Sequence, residues 1–369
     1  MAGIYVHVPF CKSKCTYCDF ASYPREIGKA ELYFGCLYKE MTARANSLNG
    51  KPFDTVYIGG GTPSFVDEKF IVGAMRRIRE KFNLTSDAEI TIEINPGTLT
   101  KQKVEAYKSV GINRFSLGLQ SADDGMLTRL NRIHTLSDYL SACELLKGEN
   151  FSADALIGLF DQKESDLERT LNVIMESGAS HVSMYALRPE EGTPIFSNYL
   201  NGDLPDEDTV ADLYDFGVKT LEKGGFLRYE VSNFAKEGKR SKHNENYWRR
   251  GEYIGLGVAA SSHVANRRFT NTANIDEYVK CILSGHFAEI FSESVEGDEV
   301  RSEYVMLALR TVDGIDRAEF KALFGRDFTE EYSEELKTQA KYLDITDSRI
   351  CIKPEYLYVQ NSIIIMFMR

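Results

Sequence analysis

No apolar run in this 369-residue sequence is long enough to cross a membrane; Ile363–Met368 is only a short terminal stretch. No basic segment leading into an apolar one opens the chain, so no secretory leader is expected. Positive charge is in deficit, with 44 Lys and Arg against 55 Asp and Glu and a net charge of −11. That balance argues against a general nucleic-acid or anionic-membrane surface. A paired cysteine framework is lacking too. Seven cysteines, an odd number, fit a reducing compartment, and the cytoplasm is the expected location. No low-complexity segment occurs. What remains, 43% hydrophobic and 27% charged, suits a barrel-sized domain with a smaller one beside it.

Apolar β-rich runs alternate with longer amphipathic ones, the mark of βα units around a parallel sheet. Strands are expected at Ile4–Val8, Thr55–Ile58, Glu89–Ile94, Arg114–Leu119, Ala153–Ile157 and His181–Ala186. Helical patterns separate them near Lys29–Leu48, Glu68–Phe82, Lys101–Val110, Ser137–Lys147 and Glu164–Ser177, with Thr100 and Gly111 as caps of the third. Six such units make the expected fold α/β, a partial (β/α)6 TIM-like barrel with functional residues at the carboxyl ends of its strands. The pattern loosens after Ala186. Residues 205–225 look helical, and 236–250 are polar and basic and hold the single tryptophan. From about residue 296 come short helices at 300–309, 317–323 and 330–341, a hairpin of 350–352 with 356–359, and a last helix at 362–368. That order resembles a small winged-helix-like α+β domain. It lacks a basic recognition helix, so docking onto the barrel is expected rather than DNA binding. The expected division is 1–233 for the barrel, 234–295 for a connecting segment and 296–369 for the C-terminal domain.

The chemistry is concentrated in a few runs. Cys11, Cys15 and Cys18 lie on one short loop after the first strand, and soft thiolates select iron–sulfur or zinc. No fourth cysteine or histidine follows soon after: position 20 is Phe, and the next cysteine, Cys36, falls in a helical pattern. Three ligands on a [4Fe–4S] cluster would leave one iron open. Taken alone, the cysteines also fit a zinc knuckle or three unrelated buried thiols. Gly59-Gly60-Gly61-Thr62-Pro63-Ser64 follows the second strand, where glycines let the backbone approach a ligand; a phosphate loop would need a lysine that is missing, and a tight turn is the plain alternative. Glu93 ends the third strand and is placed to hold a hydroxyl or form a salt bridge. Gln120 ends the fourth, Arg132 lies in Leu130-Asn-Arg-Ile-His134, and Asp154 opens Asp-Ala-Leu-Ile-Gly-Leu.

The Cys-x3-Cys-x2-Cys run resembles the radical S-adenosylmethionine (SAM) superfamily. The other runs in their order, together with Glu191–Pro194, His243–Trp248 and Ile254–Gly257, are similar to its coproporphyrinogen oxidase-like branch and, nearest, to the HemW family of haem chaperones. In the oxidases of that branch the third cysteine is followed by Gly and a further Cys, and an N-terminal arm precedes the first strand. Here Asp19 and Phe20 stand after Cys18 and three residues precede Ile4. The resemblance implies that the open iron binds the amino and carboxylate groups of SAM, with Tyr5, Tyr17, Gly60, Gly61, Thr62, Glu93, Gln120, Arg132 and Asp154 around it. It implies haem contact at the His243-Asn-x-x-Tyr247-Trp248 run, an imidazole serving as a common axial ligand and the aromatics as porphyrin cover. A structural hydrogen bond is the alternative for His243, and His7 and His134 are alternative ligands.

The implied cofactors are a [4Fe–4S] cluster, SAM and haem. The implied partners are haem, haem-accepting proteins and an electron donor. No nucleic acid is implied, and any contact with a membrane-bound acceptor would be peripheral; the family also suggests a homodimer. The rival functions are oxygen-independent coproporphyrinogen III oxidation and a non-catalytic iron–sulfur redox or assembly role. Two departures bear on the pocket: Gly158-Leu159-Phe160 where Gly-Leu-Pro is usual, and Val258-Ala-Ala-Ser-Ser262 in place of Gly-Ala-His-Ser.

Overall fold

In the first strand, β1 (Ala2–Val8), Ile4, Val6 and Val8 are fully buried on one face, and Gly3, Tyr5 and His7 take the other. The computed structural model describes residues 1–48 and 50–368. After β1 the chain runs through α1 (Ala30–Ser47), β2 (Pro52–Gly60), α2 (Glu68–Lys81), β3 (Asn83–Ile94), α3 (Lys101–Ser109), β4 (Arg114–Gln120), α4 (Asp124–Arg129), α5 (Leu136–Leu145), β5 (Phe151–Ile157), α6 (Glu164–Glu176) and β6 (His181–Ala186). All six strands pair in parallel in chain order. Helix faces such as Leu167, Leu171 and Ile174 of α6 cover the outer, apolar side of the sheet.

Next come α7 (Pro194–Leu200), α8 (Glu207–Lys223), β7 (Leu227–Arg228), β8 (Asn233–Ala235) and α9 (Lys242–Trp248), which Ser241 caps. Then β9 (Glu252–Leu256) pairs in parallel with β1, as a seventh parallel strand that the six-unit pattern did not anticipate. It is followed by antiparallel β10 (Ser261–Val264) and β11 (Arg267–Asn271), then α10 (Ile275–Leu283) and β12 (Glu289–Ser294). The sheet reads β12-β11-β10-β9-β1-β2-β3-β4-β5-β6-β8-β7, with β12 and β7 at its two edges among the described residues. The fold is the expected partial barrel, open rather than closed.

The last part has its own core, around Val305, Phe320, Phe328, Leu343, Ile350 and Phe367. It runs α11 (Asp298–Ala308), β13 (Ile315–Asp316), α12 (Arg317–Phe324), α13 (Phe328–Glu331), α14 (Ser333–Gln339), β14 (Leu343–Ile345), β15 (Arg349–Ile352) and α15 (Gln360–Ile364). Two expectations need correction. The hairpin pairs 343–345 with 349–352, because Pro354 opens a helical turn where the second strand was expected. The helix expected at 330–341 breaks at Tyr332, which is buried and stacked on Phe328. Contacts with the barrel include Val312 N–H donating to Tyr229 O (3.1 Å), Arg228 Nη2 to Pro354 O (2.7 Å), and Tyr214 stacked on Tyr358.

A single buried carboxylate ties the β9–β11 extension to the barrel. Glu40 of α1, 1% exposed, accepts from Gly257 N (2.8 Å), Tyr278 OH (2.7 Å) and Asn271 Nδ2 (2.7 Å). Removing it strands Gly257 N–H and Tyr278 OH in the interior, while Asn271 keeps Gly257 O and Arg44 keeps Glu289. Glu40→Leu should therefore lower stability by roughly 3 kcal/mol, read as a shifted urea midpoint with unchanged slope. A loss below about 1 kcal/mol would show that the extension is held by apolar packing instead.

Candidate functional site

The cysteine loop is fastened over the carboxyl end of the barrel by its neighbours. Thr16 N–H donates to Leu130 O (3.1 Å), Ile195 N–H to Thr16 O (3.0 Å), and Asn131 Nδ2 to both Ser13 Oγ and Lys14 O (2.8 Å each). Asn131 does this from a left-handed backbone (φ 56°), a strain its two hydrogen bonds to the loop repay. Thr62 Oγ1 donates to Cys11 Sγ (3.4 Å) and Arg132 Nη1 to Cys15 Sγ (3.5 Å) and Tyr17 OH (3.4 Å), while Arg132 Nη2 binds Gly118 O (2.8 Å). Cys11 is buried and Cys15 and Cys18 half-buried; burial raises the Cys11 and Cys18 thiol pKa values, and the neighbouring thiols raise them further. Cys36 and Cys143 are buried in α1 and α5, away from this loop.

These residues fit a cluster better than a lone ion. Among the described residues no three ligating side chains gather closely enough for a single metal. A cubane asks for wider spacing, since each thiolate caps a different iron. Hydrogen bonds from a hydroxyl and a guanidinium to two of the sulfurs would stabilise their anionic form.

The glycine run is dictated by the same crowding. Gly60 has φ 113°, and a Cβ there would lie 2.6 Å from the His7 ring. A Cβ on Gly61 would meet Val8 O, Phe10 O and Cys11 Sγ at about 3 Å. The glycines therefore let β2 pass under the cysteine loop, so a side chain at 61 would disturb the loop itself.

Beneath the loop lies a cavity of about 510 Å³ walled by Cys11, Cys15, Tyr17, Cys18, Gly60, Gly61, Thr62, Glu93, Gln120, Arg132 and Asp154. Eleven of the twelve expected cluster and SAM positions thus share one space. Tyr5, the twelfth, stacks on Tyr57 (6.3 Å between centroids) and bonds His7 Nδ1. Glu93 accepts from Tyr57 OH (2.8 Å) and Gly60 N–H (3.1 Å). Asp154 lies beside Ser183 and Ser116. Neither carboxylate forms an ion pair among the described residues, so the pair offers acceptors suited to an ammonium and ribose hydroxyls. Gln120 ends β4 in a left-handed conformation (φ 73°) beside a register shift, which turns it into the cavity.

The haem candidates lie elsewhere. His243 is 1% exposed at the foot of the barrel, with Nδ1 bonded to Thr55 Oγ1 (2.7 Å) and Nε2 to Tyr247 OH (2.9 Å). Burial pushes its pKa down to about 3, so the ring is neutral. Trp248 faces a separate cavity of about 230 Å³ between α9 and the C-terminal domain. The three residues do not converge on one open face, and an iron could reach His243 only by displacing a hydroxyl partner. His7 and His134 are also engaged, through Ala21 O and Leu119 O.

Sequence reading missed the depth of the cavity. Tyr57, Thr91, Arg114, Ser116, Ser152, His181 and Ser183 continue its wall toward the amino ends of the strands. The signal was there: runs such as Arg-Phe-Ser-Leu-Gly-Leu-Gln alternate polar with apolar, whereas parallel strands usually read as continuous apolar runs.

Burial and then the nearby Glu93 push Asp154 from 3.8 up to about 7. In the cofactor-free protein the folded state thus binds more protons than the unfolded chain between those values, so stability falls as pH rises toward 7. Asp154→Asn should raise the thermal midpoint, by a margin that grows from about pH 4 to about pH 7 and is flat above. A margin independent of pH would mean that Asp154 is an ordinary ionised carboxylate.

Comparison with known proteins agrees with this geometry. The sequence model of the radical SAM superfamily matches residues 5–174, and that of the HemN C-terminal domain matches 295–356. A Bacillus subtilis protein named heme chaperone HemW is 31% identical over 92% of this chain and 92% of its own. One of the same name from Buchnera aphidicola (Schizaphis graminum) is 36% identical over 71% of this chain and 70% of its own. The structure of coproporphyrinogen III oxidase HemN from Escherichia coli superposes with a TM-score of 0.87 at 21% identity, covering 99% of this chain and 89% of that one, which shows the shared fold. With this identity sustained over nearly the whole chain, the protein belongs to the HemW family of the radical SAM superfamily.

Proposed function

We propose that this protein is a cytoplasmic haem chaperone that carries a [4Fe–4S] cluster on Cys11, Cys15 and Cys18, binds SAM in the cavity below, and passes haem to acceptor proteins. The observation that carries the reading is the three-cysteine loop clamped by Arg132 and Thr62 directly above two unpaired carboxylates. The relatives named heme chaperone HemW support the haem part. When bound, the cluster supplies an open iron and a reducing electron. This chain's own residues do the rest. Arg132 holds its positive charge beside Cys15, and Glu93 and Asp154 accept from a cationic, hydroxylated ligand.

We place haem contact on α9, at His243, Tyr247 and Trp248. Because the His243 nitrogens are engaged, this contact needs a rearrangement of α9. We also assign cofactor binding to residues 1–233, haem contact to 234–295, and cover for α9 to 296–369, with an outside electron donor for the cluster.

Anaerobic reconstitution followed by haemin titration and a coproporphyrinogen III assay tests the reading. Wild type should show broad visible absorbance, retain haem through desalting and yield no product. Cys11→Ser, Cys15→Ser or Cys18→Ser should lose most of that absorbance, and Cys36→Ser should keep it. His243→Ala should weaken the Soret band at unchanged cluster content. Turnover of coproporphyrinogen III would establish the oxidase instead, and a requirement for Cys36 would overturn the three-ligand cluster.

A further inference from the structure

Tyr57 of β2 has no part in the reading above, yet several features of the cavity converge on it. Its hydroxyl donates to Glu93 Oε1 (2.8 Å), while Gly60 N–H donates to the other oxygen, Oε2 (3.1 Å). One donor on each oxygen fixes the plane of the carboxylate and leaves each oxygen a lone pair for a ligand. Tyr57 and Glu93 are both half-buried and both line the cavity, so the pair is open to what enters it. Burial raises the pKa of Glu93 and the two donors pull it back, which favours the ionised form that a cationic ligand needs.

Gly59 makes the pair possible. A Cβ there would stand 2.9 Å from both Glu93 Cδ and Tyr57 Cε1, closer than real side chains approach. The first glycine of the run thus answers to Tyr57 and Glu93, as Gly60 answers to His7 and Gly61 to the cysteine loop. The ring of Tyr57 also has two aromatic neighbours. Tyr5, its direct partner across the β1–β2 ladder, stacks on it with centroids 6.3 Å apart and planes inclined by 27°. His243 stacks more closely, at 5.1 Å and 25°. Thr55 and Tyr247 bond the two nitrogens of His243, so this second ring is itself fixed. A tyrosine ring held by such neighbours keeps its hydroxyl on Glu93.

We propose that Tyr57 is a positioning residue of the cavity: it holds Glu93 in place to accept from the ammonium or ribose hydroxyls of the ligand, and His243 holds Tyr57. The α9 run then has a second duty beside haem contact, as support for the wall that faces SAM. The inference deepens the reading above and rests on it for SAM in this cavity.

Equilibrium dialysis of SAM against the anaerobically reconstituted protein is the test, with cluster absorbance read on the same samples. Tyr57→Phe removes one hydroxyl and keeps the ring; it should weaken SAM about tenfold, the size of one hydrogen bond to a charged group. A double-mutant cycle separates positioning from a general role in folding. In a Glu93→Ala background Tyr57→Phe should cost under about twofold more, since the hydroxyl then has nothing to hold. Should Glu93→Ala bind too little SAM to measure, Glu93→Gln takes its place, and the added cost of Tyr57→Phe should be smaller than in wild type. His243→Ala should weaken SAM about threefold, and His243→Phe, which keeps a ring against Tyr57, should regain most of that loss. If His243→Ala fails to fold, His243→Leu replaces it. Unchanged SAM affinity in Tyr57→Phe, or an equal loss with and without Glu93, overturns the role of Tyr57. Wild-type affinity in the ring-less His243 variant overturns its support by His243. Wild-type protein that binds no SAM overturns the cofactor reading and this inference with it, whereas SAM binding that is indifferent to Tyr57→Phe overturns this inference alone.

Discussion

A parallel sheet that turns polar side chains inward must find them partners or leave room for something that will. That constraint shapes this molecule. The outer face of the strands is apolar and covered by helices, as in any α/β barrel. The inner face is not packed with branched aliphatics; it carries tyrosine, serine, threonine, histidine, arginine and two carboxylates around open space. Buried polar groups without partners cost stability, so such a lumen persists where ligands complete it. Asp154, its pKa pushed up to about 7, and Gln120 and Asn131 in left-handed conformations belong to that one site.

Much of this was legible in the sequence, for identifiable reasons. The six strands and their helices follow from runs long enough for periodicity to decide, and the three-cysteine spacing takes its meaning from the strand before it and the runs after it. The glycine run was found, but its cause was not: Gly60 and Gly61 answer to His7 and the Cys11 loop, contacts across 50 residues that no local pattern reveals. β9 to β12 escaped notice because short strands in polar stretches have little periodic signal, and their anchor, Glu40, sits in a distant helix. In the C-terminal hairpin the strand at 350–352 is legible, but its partner precedes it at 343–345 instead of following at 356–359, because Pro354 acts as a turn former.

His243 shows the limit of motif reading. The run around it was legible, yet its position could not be inferred from a motif. In the fold it is a neutral ring bonded at both nitrogens, stacked on Tyr57 and closing the foot of the barrel beneath the cavity. Tyr247 is bound to it, while Trp248 turns toward the C-terminal domain. α9 thus touches the barrel interior and, through Trp248, the cavity shared with the C-terminal domain.

The central claim is that three thiolates leave one iron of a cluster open above a cavity shaped for SAM. Electron paramagnetic resonance of the reduced, anaerobically reconstituted protein, recorded before and after addition of SAM, tests it most directly. The account predicts a cluster signal whose shape changes on SAM addition, because the ligand binds the open iron. A cluster signal indifferent to saturating SAM would contradict it, since every iron would then already be fully ligated by the protein.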